Sequence, residues 1–281
     1  MPLSISISNS IASQNTTASK GFVWANIEAE TYYNAVTIAN GGDIDTITLY
    51  GQTLDDTKSA IDSRVTSLKS AGVFSKLIHD YPFFGGTADT HAINAVNAAS
   101  TLLYFGSPTH SNLGMITNGA NQYASLNNSF RSEVPSSEDW AIGVDTNSSN
   151  SKIMMGSRDA TNIAAVIRYR LSTLIGYTTT AGFTVSPAIS SVNDSFIVAS
   201  QYEPFISRLY NDAVEKSVTS ASSGFIPTTY PLFIGAWNNY GGVIDAVAGN
   251  HKFAFASSGL TPAEVSSINT INNTFQSFLG R

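Results

Sequence analysis

The feature that most constrains this chain is a change of texture at Tyr81. Beyond it, long helical periodicity vanishes and short apolar runs recur between clusters of Gly, Asn, Ser and Pro. The runs fall at 122–126, 140–144, 153–156, 163–171, 196–200, 205–210, 231–237 and 251–257. Apolar runs of this length, separated by turn formers, predict strands of a β-sandwich, barrel or jelly roll. One run says more. In Lys252-Phe253-Ala254-Phe255-Ala256-Ser257 the large residues share one face and Ala or Lys the other. Successive strand side chains point to opposite faces, so this alternation fits a strand packed between two layers.

The first eighty residues read differently. Residues 27–40 place Ala29, Tyr32, Tyr33, Val36 and Ala39 at helical spacing, with Gly41-Gly42 as a stop. Residues 54–71 form the clearer helix: Thr53 and Asp56 make a capping pattern, Ile61, Val65 and Leu68 one stripe, and Gly72 stands at C′. Both stripes are narrow, so the helices must lean on each other or on the larger body. Between them, residues 43–49 alternate like a short strand. Leu3, Ile5 and Ile7 alternate with serines, which predicts a strand in residues 1–25. It would join its own sheet or dock on another subunit. Near the end, Thr261-Pro262-Ala263-Glu264 gives an N-cap, Pro at N1 and Glu at N3. The helix it opens carries Val265, Ile268, Ile271, Phe275 and Phe278, a stripe expected to lie against the sandwich.

Composition narrows the function classes. Only 12% of residues are charged, against about 25% in ordinary soluble proteins. Ser, Thr and Asn, roughly a third of the chain, must wet the surface instead. That profile suits an all-β protein working outside a cell or on a virion surface. A net charge of −6 argues against nucleic acid, which needs clustered cations. The densest cluster, Arg168-Tyr169-Arg170, reads as part of a solvated strand. With no cysteine there is no disulfide, thiolate metal site or cysteine nucleophile. No apolar run reaches the ~18 residues of a membrane span, and the N-terminus shows no secretory signal. Membrane insertion is not expected.

Three stretches carry a resemblance. The first runs from Leu68 to Leu77 and on through Tyr81-Pro82-Phe83-Phe84-Gly85-Gly86-Thr87-Ala88 to His91. The second is Leu103-Tyr104-Phe105-Gly106, then Thr109-His110-Ser111, Asn118-Gly119 and Tyr123-Ala124. The third is Leu232-Phe233-Ile234-Gly235-Ala236-Trp237-Asn238-Asn239, then Phe253 to Ser257, Gly259-Leu260-Thr261 and Glu264. In this order the set resembles bacteriophage structural proteins with a concanavalin-A-like, laminin-G-like jelly roll, over residues 28–281. The family tends to Gly-Gly-Trp-Thr-His where this chain reads Gly106-Ser107-Pro108-Thr109-His110. The resemblance implies a two-sheet jelly roll preceded by a helical neck. With the N-terminal strand and the C-terminal helix read above, the expected fold is mainly β, a concanavalin-A-like jelly-roll β-sandwich with an N-terminal strand, a two-helix neck and a C-terminal helix. With the N-terminal stretch, which lies outside the resemblance, the chain divides into an attachment arm (1–26), a helical neck (27–80) and the jelly roll with its closing helix (81–281). The resemblance also implies a virion location, as in a tail fibre or other appendage. Other virion proteins would bind through the arm, and a homo-oligomer, a trimer by analogy, is expected.

Catalytic patterns are missing. A retaining glycosidase needs two carboxyls about 5 Å apart. Glu28/Glu30 lie on the neck helix, where i and i+2 point apart; Asp43/Asp45 precede the jelly roll; Glu138/Asp139 are adjacent and suit a cap. Gly-x-Ser-x-Gly and the phosphate-binding glycine signatures are absent. No enzyme activity and no cofactor are expected. His79, His91, His110 and His251 lack ligand spacing, and Asp145, Asn147 and Asp194 lack the run of a calcium loop. No metal is expected either.

The loop most suited to contact is Trp237-Asn238-Asn239-Tyr240-Gly241-Gly242. Flat aromatics stack on sugar faces and Asn offers both donors and acceptors, so a host surface glycan is the ligand expected of Trp237, Asn238, Asn239 and Tyr240. Two alternatives stand beside this: a hairpin turn whose Trp237 caps the core, and an interface with a sister subunit. His110 joins the candidate contact residues, with the alternative that it and His91 each bond a backbone carbonyl and fix a turn.

Overall fold

The computed structural model describes residues 22–281, apart from 135, 137, 149–151, 159–163, 171–172, 178–181, 185–191, 205 and 221–229. The alternating serine stretch at the N-terminus therefore lies outside the described residues. Six α-helices are present among them: α1 (Ile27–Ala39), α2 (Thr46–Tyr50), α3 (Leu54–Ser70), α4 (Ala88–His91), α5 (Phe130–Glu133) and α6 (Pro262–Phe278).

The strand expected over 43–49 is not there; α2 is. Local capping overrides the alternation. The Asp45 carboxylate accepts the Thr48 N–H at 3.0 Å and its hydroxyl at 2.6 Å, and Gly51 closes the turn at φ 69°. Ile44 and Tyr50 are buried while Ile47 faces solvent, which a strand face through 45, 47 and 49 would not produce. The flanking helices form where expected. In α3 the Thr53 hydroxyl accepts the Asp56 N–H, and Ile61, Val65 and Leu68 are buried. In α6 the capping box is complete: Thr261 accepts from the Glu264 N–H and Glu264 accepts the Thr261 N–H at 2.8 Å.

The body is a mainly antiparallel two-sheet β-sandwich, the jelly-roll class expected from the sequence. The first sheet runs Val214–Ser220, Ile206–Asn211, Val192–Glu203, Trp140–Ser148, Ala248–Ser257, Gly114–Asn118, Thr109–Ser111, and Leu77–Tyr81 pairs with the far half of Ala248–Ser257. The second runs Gly182–Thr184, Thr173–Tyr177, Ala164–Arg170, Ile153–Arg158, Pro231–Ile234, Tyr123–Ser129, Leu102–Phe105, with Trp237–Asn239 and Gly242–Ile244 attached at its side. Each run predicted as a strand contains one. The run 231–237 splits, because Gly235 at φ 82° turns the chain after Ile234.

The first sheet is the middle layer. Its inner face meets the second sheet through Trp140, Ile142, Val144, Ala254 and Ala256, opposite Leu126, Met154, Leu232 and Ile234. Its outer face meets α3 and α6 through Phe196, Phe253 and Phe255 against Leu68, Val265 and Ile268. The large and small faces of 252–257 are thus both buried, as the alternation predicted. Gly143 pairs with Phe255, whose ring occupies the space a Cβ on Gly143 would fill. A third cluster joins α1, α3 and α6 through Tyr32, Tyr33, Ile61, Val65 and Phe275.

One buried ion pair ties the helices to the sheets. Arg64 on α3 donates through both Nη atoms to the two carboxylate oxygens of Asp80, each at 2.7 Å. Its guanidinium lies over Phe253 and Phe275 at 5.5 and 5.6 Å. Among the described residues no helix is long and apolar enough to cross a membrane.

Candidate functional site

Most of the aromatic loop is a hairpin laid against the second sheet. After Gly235, Trp237–Asn239 pairs in parallel with the end of Ile153–Arg158, Asn238 opposite Ser157 and Asn239 opposite Arg158. It then turns back antiparallel into Gly242–Ile244. The two central turn residues, Tyr240 and Gly241, have φ of 55° and 88°. Positive φ at both central positions defines the type I′ turn whose twist matches paired strands. Glycine adopts such a backbone freely; tyrosine does not, so Tyr240 is held there by its surroundings.

The candidate residues divide by role. Asn238 is 0% exposed. Its amide donates to the Pro231 carbonyl at 2.8 Å and its oxygen accepts the Gly241 N–H at 2.8 Å. It locks the turn and presents nothing outward. Trp237 packs its ring on Ile153, Ala164 and Val166, a small cluster separate from the sandwich core. Asn239 and Tyr240 remain at the surface, Tyr240 38% exposed.

A residue that sequence reasoning passed over completes the group. The Arg158 guanidinium carbon lies 4.7 Å from the ring centroids of both Trp237 and Tyr240. Its Nε donates to Asn239 Oδ1 at 2.9 Å, and its backbone carbonyl accepts the Tyr240 N–H at 3.2 Å. Nothing near Arg158 in the sequence marks it. Beyond this cluster, Asp245 is held by Arg168 at 3.1 Å and Lys152 at 3.8 Å, which pins the far end of the hairpin.

His110 lies elsewhere, on Thr109–Ser111 of the first sheet. Its Nδ1 is 3.0 Å from Nδ1 of His91. The expected histidine-to-carbonyl bonds are replaced by this pair. His91 Nε2 accepts the Gly86 N–H at 3.1 Å, so the ring carries its proton on Nδ1 and donates it to His110. His110 must then be protonated on Nε2, which is buried with no partner among the described residues. Burial first, and the neighbouring ring second, hold His91 well below the usual imidazole range; burial lowers His110 to about 4. Both rings are neutral near pH 7, and they join α4 to the sheet edge away from the hairpin.

One member of each carboxylate pair considered for hydrolysis has a structural partner. Glu28 receives Lys69 at 2.6 Å, Asp45 caps α2, and Asp139 accepts the Gly259 N–H at 2.6 Å. Asp145, considered for calcium, is buried and accepts the Asn272 amide at 2.8 Å; the Asp194 side chain lies outside the described residues. Among the described residues no three His, Cys, Asp or Glu side chains gather as a metal site would require. A cavity of about 360 Å³ lies between α3 and α6, lined by Ser63, Ser67, Thr270, Phe275 and Phe278, with Arg64 already committed to Asp80.

No family model matches the sequence, and no curated protein matches it. Several solved structures align with this chain at low identity. Trypanosoma rangeli sialidase in complex with 2,3-difluorosialic acid aligns at 10% identity and a TM-score of 0.52, over 75% of this chain and 39% of that one. The botulinum neurotoxin serotype D binding domain aligns at 10% and 0.48, over 70% and 52%. The Ruminococcus gnavus IT-sialidase CBM40 bound to α2,3-sialyllactose aligns at 9% and 0.40, over 47% and 82%. This chain thus spans about half or less of the sialidase and neurotoxin chains. At 10% identity and a TM-score of 0.52, the likeness to the sialidase is one of fold alone.

Proposed function

We propose that this chain is a non-enzymatic, lectin-like module of a virion appendage, such as a tail fibre or receptor-binding protein, that contacts host surface glycans. The observation that carries this reading is the cluster of Trp237, Asn239, Tyr240 and Arg158 on a hairpin fixed at the sheet surface. Sugar rings offer an apolar C–H face and a polar hydroxyl edge, and such a cluster supplies the complement of both. A ligand platform made of paired backbone needs little ordering on binding. The resemblance of the three motif stretches to phage structural proteins supports the virion setting. Residues 1–26 would then attach the domain to other virion proteins. A cyclic homo-oligomer, a trimer by analogy, would turn weak single contacts into avidity.

The test is a glycan array probed with the intact protein. Binding that Trp237→Ala and Tyr240→Ala abolish is expected; a flat array refutes the reading. Incubation with host envelope polysaccharide should release no reducing ends, and release would overturn the non-enzymatic part.

A second reading, a capsid or tail decoration protein that needs no ligand, has one observation in its favour. On the edge strand Leu102–Phe105, Leu103 and Phe105 are 45% and 42% exposed, and the Phe105 ring stacks on Tyr123 at 4.8 Å. Such a face suits a neighbouring subunit. Tight binding to particles together with a flat array would favour it.

A further inference from the structure

Arg158 stands apart from the ion-paired cations of the chain. Arg64, Lys69, Lys76, Arg168 and Arg208 each have a carboxylate partner within 3.1 Å. Arg158 has none among the described residues, although it is partly buried against two aromatic rings. A guanidinium is weakly hydrated on its flat faces and donates hydrogen bonds only along its edge. Here the flat face is taken by Trp237 and Tyr240, and Nε by Asn239. The Nη1 and Nη2 donors have no hydrogen-bond partner among the described residues. Asn239 also fixes the rotation of the fork about the side-chain axis, and the Tyr240 N–H bonded to the Arg158 carbonyl ties platform and cation together. The result is a pre-oriented two-pronged donor beside an exposed tyrosine ring.

We infer that this site selects acidic glycans, with Arg158 pairing through Nη1 and Nη2 to a carboxylate carried by the sugar that stacks at Tyr240. The inference rests on the glycan-binding reading above and narrows it to one chemical class, a uronic or other carboxyl-bearing sugar. Two parallel N–H···O bonds to a planar carboxylate match the spacing of the fork, and the aromatic backing keeps water off one side of the pair. A lysine in this place would keep the charge and the ring contact but lose the fork. The other charges of the hairpin do not compete, because Asp245 is neutralised by Arg168 and Lys152.

The experiment uses the full chain and immobilised oligosaccharides in matched sets: a carboxyl-bearing sugar, its methyl ester, and a sulfated sugar of the same core. Binding to the free acid is expected to exceed binding to the ester by about tenfold or more, and to weaken as salt rises. Arg158→Lys should bring the acid-to-ester ratio close to one. Equal binding of acid and ester by the natural chain overturns the inference and leaves the glycan reading standing. Tighter binding of the sulfated sugar than of the free acid overturns the carboxylate assignment. No binding to any member of the sets counts against the glycan reading itself. The acid-to-ester comparison needs no variant, so a poorly folding Arg158→Lys leaves the test intact.

Discussion

Asp80→Asn is the most incisive perturbation of the fold, because it leaves shape nearly unchanged and removes one charge. Arg64 and Asp80 are 6% and 0% exposed, and two 2.7 Å bonds join them. The guanidinium is walled by Phe253 and Phe275, which belong to the first sheet and α6. Asparagine can accept one of those bonds but cannot balance the charge, and no water shell replaces it. Removing one partner of such a pair costs about 3–5 kcal/mol, a large part of the ~5–15 kcal/mol that holds an ordinary domain together. Replacing both members by apolar groups, as in Arg64→Met with Asp80→Leu, removes the stranded charge and should recover most of that loss. The assay is urea unfolding at pH 7 for the natural chain, each single variant and the double variant, followed by tryptophan fluorescence and far-ultraviolet circular dichroism. If Asp80→Asn lowers stability by less than about 1 kcal/mol, the pair is not the buried tie between helices and sheets described above.

Two further predictions concern packing and pH. Gly143→Ala places a methyl group in the space held by the Phe255 ring, so it should cost about 1–3 kcal/mol in urea unfolding; a neutral result would mean that the ring has room to move. His251 is buried, and burial lowers it from 6.5 to about 4, so the folded chain keeps it neutral. Between those values the unfolded chain holds more protons, and stability falls as pH drops through the window. At pH 4.5 this amounts to about 2.5 kcal/mol relative to pH 7. His251→Gln should remove that share of the pH dependence, read from urea midpoints at the two pH values. An unchanged dependence in the variant would show that His251 is protonated in the fold.

Much of the architecture was written locally. Strand runs and helix caps are relations between residues a few positions apart, so the layering of Phe253, Ala254, Phe255 and Ala256 and the capping box at Thr261 could be read directly. Where two local signals competed, periodicity misled: at 43–49 the Asp45 cap outweighed alternation, and at Gly235 a single backbone conformation cut one run in two. The short strand Leu77–Tyr81 carried no alternation to read. Its buried His79 and Asp80 are paired with Glu133 and Arg64, which reach them from other elements.

The candidate site divides the same way. Aromatic residues among Asn and Gly marked 237–242 as a turn with contact potential, since turn chemistry depends on neighbours in sequence. That Asn238 faces inward, that His110 belongs with His91, and that Arg158 lies on Trp237 and Tyr240 follow from strand pairing between distant segments. Such pairing is set by the balance of buried surface over the whole sandwich, which no short window of residues contains.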